Sequence, residues 1–167
     1  MLARFAVAFA VSVPLSAQVT PLGNFCTGGS HLNFSAPLAG AVLQVDQTTF
    51  YFSSPSTPCA TVWLHAMGIA FASNLIGLPS CGCTMLGSPA WIEVQVGTPS
   101  LRPSPIISPF ICHLQTSTSL ALPPGSAGMQ FYVQALALAP GYPVGSMACT
   151  EFGAPTLLTG AYEVAVQ

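Results

Sequence analysis

The residues with the most chemistry to offer are six cysteines, Cys26, Cys59, Cys81, Cys83, Cys112 and Cys149. An even number in an exported chain reads as a set of disulfides, although spacing alone selects no pairing. The sharper alternative is a metal or redox site at Cys81-Gly82-Cys83, completed by His65, Cys112 or His113. A structural zinc site ordinarily has two residues between paired cysteines and a second such pair, and neither is present here. A redox pair wants a thiol beside a positive group or a helix start, and a chain without lysine offers little of that kind. Disulfides are therefore expected at all six positions, with no metal and no cofactor.

Nucleophilic catalysis would need a serine with His31, His65 or His113 and Asp46. There is no Gly-x-Ser-x-Gly elbow, and in Gly29-Ser30-His31 a strand would send serine and histidine to opposite faces. His65 lies in an apolar stretch and is expected to be buried. The acids Asp46, Glu93, Glu151 and Glu163 are scattered, with no context that pairs two of them for glycoside hydrolysis. No catalytic residue is assigned and the chain does not read as an enzyme. Tyr51, Trp63, Trp91, Tyr132 and Tyr142 are candidates for a ring platform that stacks on sugars. Packing of those rings inside a β fold is the preferred reading of the same residues.

Charged residues make up only 4% of the chain against 51% hydrophobic. Past residue 17, Arg102 is the only Lys or Arg side chain, which excludes a phosphate-neutralising surface for nucleic acid and polybasic attraction to membranes. The apolar runs after residue 17 are all interrupted by Gln, Ser, Thr, Pro or Gly, so no transmembrane segment is expected there. A membrane barrel is disfavoured because several strand candidates are too short to cross a bilayer. A surface built of Ser, Thr, Gln, Asn and Pro has little repulsion to oppose self-association or packing into an envelope.

Residues 1–17 have the form of a secretory signal peptide. Arg4 is the basic start, residues 5–13 are apolar, Pro14 follows, and Ser16-Ala17 precede the expected cleavage. Residues 18–167 are then long enough for a single domain.

Within that domain the hydrophobic period is two. Ile92, Val94 and Val96 alternate with Glu93 and Gln95. Leu114, Leu120 and Leu122 oppose Gln115, Ser117 and Ser119, and Tyr162, Val164 and Val166 alternate with Ala161, Glu163 and Ala165. These patterns predict half-buried strands. Further strands are expected at 32–35, 41–45, 49–53, 61–66 and 129–138, the last central because it ends as a continuous apolar run. Turn clusters separate them, and 16 prolines argue against long helices. The predicted fold is all-β, an antiparallel β-sandwich of about eight strands stabilised by disulfides.

Three groups of residues carry a resemblance. They are Phe25-Cys26-Thr27-Gly28-Gly29-Ser30; Leu78-Pro79 followed by Gly82-Cys83-Thr84-Met85-Leu86-Gly87-Ser88-Pro89; and Leu122-Pro123-Pro124 leading into Gly128-Met129-Gln130-Phe131-Tyr132-Val133-Gln134-Ala135. In this order they resemble the uncharacterised secreted β-rich domains abundant in planctomycete-type bacteria. The chain departs from that pattern in its extra cysteines and in Met147-Ala148-Cys149. The resemblance implies a β-rich fold, secretion and service as an accessory or anchoring module, with no activity to carry over. It also implies a Cys26–Cys83 disulfide, leaving Cys59, Cys81, Cys112 and Cys149 as an added set. The expectation for the whole is a structural or interaction protein, secreted or held at the outer envelope or periplasm. Envelope proteins, self-association or polysaccharide are its expected partners, and a carbohydrate-binding module is the alternative.

Overall fold

The computed structural model describes residues 18–23, 30–53, 62–103, 110–138, 149–152 and 156–167. Among these, the strands are β1 (Val19–Leu22), β2 (Ser30–Phe34), β3 (Val42–Ser53), β4 (Trp63–Ala70), β5 (Leu75–Leu78), β6 (Cys83–Leu86), β7 (Ala90–Gly97), β8 (Ser100–Pro103), β9 (Phe110–Ala121), β10 (Gln130–Leu138), β11 (Thr156–Leu158) and β12 (Ala161–Ala165). The first sheet runs β1-β12-β10-β4-β7, with β11 also on β10; the second runs β2-β3-β9-β8; β5 and β6 form a separate hairpin. All pairings are antiparallel.

The two sheets pack face to face on Leu32, Leu43 and Val45 from the second and Met67, Phe131, Val133, Ala135 and Val164 from the first. The all-β sandwich predicted from period two is the observed class, with more strands than expected. The extra ones, β1, β5, β6, β8 and β11, have four residues or fewer, too few to show an alternation. The expected strands at 41–45 and 49–53 are one continuous strand. Alternation persists through Asp46-Gln47-Thr48, because Gln47, 1% exposed, takes the inward position and its Nε2 donates to Leu136 O at 3.0 Å.

The hairpin β5–β6 forms a third layer on the outer face of the first sheet. Leu78 and Cys83 pack there with Ala66, Leu136, Leu158 and Cys149. β10 is thus covered on both faces, which explains its run of apolar residues. One side chain fastens the layer. Gln134, 2% exposed, donates from Nε2 to Thr84 O and to Thr159 O, each at 2.9 Å, and its Oε1 accepts from Leu86 N at 2.8 Å. Where β1 ends, the chain passes so near β6 that a Cβ on Gly23 would lie 2.3 Å from Thr84 Oγ1; its φ of +68° independently suits glycine.

Gln134→Leu keeps the volume and leaves Leu86 N, Thr84 O and Thr159 O without that amide. The expected result is a loss of about 3 kcal/mol, read as a lower urea midpoint with an unchanged slope.

Candidate interaction surface

β7 is where the alternation predicted from sequence has its faces reversed. Its register against β4 places Val94 opposite Ala66 and Val96 opposite Leu64, on the outer face, while Glu93 and Gln95 oppose Met67 and His65 on the inner face. The expectation that Ile92, Val94 and Val96 form the buried side is corrected: they are 37%, 56% and 68% exposed. Glu93 and Gln95 are the half-buried ones. The reason lies in what each face meets. Inward, at the sandwich margin, β7 meets polar groups of β9, and Gln95 Nε2 donates to Ser117 O at 3.0 Å and to Glu93 Oε1 at 2.5 Å. Outward, the layer formed by the hairpin reaches Ala66 and Leu64 of β4 and leaves the valines of β7 in solvent.

A register shift between Met67 and Gly68 sets Trp91 opposite Gly68 and leaves Ile92 as the extra residue. A Cβ on Gly68 would stand 3.1 Å from the Trp91 ring and 2.9 Å from Pro89. Glycine there lets the indole lie against the sheet, where it remains 44% exposed. Trp91, Ile92, Val94 and Val96 are thereby an apolar strip along a sheet margin, with no basic residue in the strand.

The other sequence candidates are placed as follows. Trp63 is 0% exposed in the interior, so its ring is withdrawn from any external ligand. Tyr132 is half-buried against the cluster of Ala70, Leu86 and Ala161. The side chain of Tyr51, and Tyr142, lie outside the described residues. A cavity of about 280 Å³ opens between the sheets at one end, lined by Ile69, Phe71, Leu120, Leu122, Met129 and Phe131 among others. The hydroxyl of Ser126 in its wall is already given to Pro123 O at 2.7 Å.

Cys81 and Cys149 form a disulfide, both members of the set expected beyond the resemblance pair. Cys83 and Cys112 are disulfide-bonded as well, and no described cysteine is free. Cys26 and Cys59 lie outside the described residues, and so does the Cys26–Cys83 pairing. The sulfurs of Cys81, Cys83 and Cys149 lie within 4.8 Å of one another. Among the described residues, the side chain that joins Cys81 and Cys83 is thus Cys149 rather than His65, Cys112 or His113. Oxidised, these sulfurs offer no thiolate to a metal. Beside them, the Glu151 carboxylate accepts from Ser80 Oγ and from Ser80 N, the latter at 2.8 Å, and the Ser80 hydroxyl bond first, then its backbone bond, hold the Glu151 pKa below the usual value. Sequence spacing carries no signal for this contact, since its partners are 71 residues apart.

The catalytic candidates Asp46 and His65 are kept apart. Asp46 accepts from Ser117 Oγ on the outer face of the second sheet, whereas His65 is in the interior with Nδ1 2.8 Å from Thr116 Oγ1. Ser30 Oγ is bonded to Thr49 Oγ1 at 3.0 Å, and the His31 ring meets Phe50 edge-on. Glu93 and Glu151 have separate partners in Gln95 and Ser80.

His65 is 2% exposed, with Nε2 lacking a hydrogen-bond partner, and burial lowers its pKa from 6.5 to about 4. The unfolded chain therefore binds this proton more tightly than the native state. The stabilisation is complete above pH 6.5 and is lost as pH falls toward 4, roughly 3 kcal/mol in all. Urea midpoints over that range should fall in the wild type and lose this component in His65→Gln.

Comparison with protein families, with curated proteins and with solved structures finds no match.

Proposed function

We propose that this is an exported structural or interaction protein of the cell exterior, whose contact surface is the outer face of β7. The observation that carries the reading is the reversal of that strand. Val94 and Val96 stand in solvent while Glu93 and Gln95 turn inward, an arrangement that disfavours the isolated domain and is relieved when another surface covers the valines. Disulfide bonding of Cys81, Cys83, Cys112 and Cys149, and the signal-like leader at residues 1–17, support export. The buried polar side chains Gln47, Gln134 and His65 each hold another part of the fold, so no catalytic role is proposed for them.

The test uses Val96→Cys, because the described native cysteines are all in disulfides. A membrane-impermeant maleimide should label the purified variant fully and the variant on its producing cells poorly. Equal labelling in both settings would show the face uncovered in place and would end the interaction reading.

A carbohydrate-binding module is the second reading, favoured by the exposed indole of Trp91 lying against the sheet at Gly68. It expects retention of the protein on an insoluble polysaccharide and loss of that retention in Trp91→Ala. The first reading expects no retention of either protein.

A further inference from the structure

We propose that the partner of β7 is β7 of a second copy, the two strands pairing antiparallel with Val94 opposite Val94. The proposal rests on the interaction reading above and names its partner.

Among the described strands, β1 and β7 end the path of one large sheet and β2 and β8 that of the other, while β5, β6 and β11, also at margins, have four residues or fewer. Free strand edges invite pairing, and natural edges are blunted by brevity, proline, charge or a bulge. β1 has four residues and contains Pro21. β8 has four and contains Arg102 and Pro103. β2 has five and exposes His31 and Asn33. β7 has eight residues, no proline and no basic side chain, and its one acid, Glu93, is turned to the inner face. Among the described margins it is the longest, and past the bulge at Ile92 its residues 93–97 run in regular register.

The sequence of β7 also fits its own reverse. With Val94 on the two-fold axis, residue 93 lies opposite 95, so each Glu93 faces a Gln95 and the two carboxylates are not apposed. On the outer face, Val94 meets Val94 and Val96 lies beside Ile92 of the other copy, which makes one apolar ridge of residues now 37%, 56% and 68% exposed. A register centred on residue 93 would set Glu93 against itself, and one centred on 95 would pair Val94 with Val96 but set Gln95 against itself and leave Ile92 beyond the paired strand. Low charge over the whole chain leaves little long-range repulsion between copies.

The test is a charge exchange at the axis. Val94 is 56% exposed, so Val94→Lys and Val94→Glu should both fold, as circular dichroism will check. Light scattering coupled to size exclusion should find the wild type dimeric in a concentration-dependent way. Each variant alone should be monomeric, with dimer affinity weakened about tenfold or more by like charges face to face. An equimolar mixture should dimerise again, because lysine at 94 then faces glutamate at 94. A monomeric wild type, variants that dimerise as it does, or a mixture that stays monomeric would each overturn the proposal. If that happens while Val96→Cys is still protected on cells, the interaction reading stands with a different partner.

Discussion

The three-layer arrangement depends on the side-chain amide of Gln134. β10 is the strand that both the inner sandwich and the outer hairpin need, and where the hairpin covers its outer face Gln134 is a buried amide beside Leu136. A glutamine among buried alkyl groups is unfavourable unless each polar atom is matched. Here Nε2 reaches two carbonyls and Oε1 takes one N–H, so three backbone groups of β6 and of the turn after β11 are satisfied by one residue. The same turn is tied to β10 a second time, as Thr159 Oγ1 accepts from Ala135 N and Thr159 N donates to Ala135 O, both at 2.9 Å. The Cys81–Cys149 bond then closes the far end of the hairpin onto the segment that bridges to Thr156.

The interior of the sandwich is divided by chemistry. Along the inward face of β3, Leu43 and Val45 give way to Gln47 and Thr49, and from this point the interior mixes polar side chains with Trp63, Ala137 and Leu157. Beyond it the sheets are joined by directional bonds, from Gln47 to β10 and from His65 to Thr116 of β9. Such contacts fix register more tightly than alkyl packing, because a one-residue slip would point each polar group at the wrong side. The buried imidazole carries the corresponding penalty in acid.

Period two makes most of the long strands legible in the amino-acid order alone, since β3, β9, β10 and β12 each have an apolar face that a sandwich must bury. It also predicts a buried face for β7 and names the wrong one. Alternation separates two faces, but which is inside depends on what lies across from each, and at β7 the inner neighbour is the β9 backbone. Gln134 stands out as part of a distinctive segment without its role being readable, because a lone amide in a strand reads as solvent-facing. Its partner segment, 82–86, belongs to the same resemblance, and the two stretches meet in space through this amide. The joining of Cys81 to Cys149 spans 68 residues and follows only from the hairpin folding back over β10.

The uncovered strip on β7 follows from where the hairpin is fastened. A two-stranded ribbon is about 10 Å wide, too narrow to cover all five strands of the path beneath it. Its attachments are Gln134 on β10 and Cys149 beside β11, and its apolar contacts reach β4 but no further along the order β12-β10-β4-β7. Moving the cover over β7 would expose Leu136 and Leu158, which are 6% and 1% exposed and lie at the centre of the outer cluster. Protection of the central strands and exposure of the marginal one are thus a single choice of anchor point. The valines of β7 are left to whatever surface the sheet can continue into.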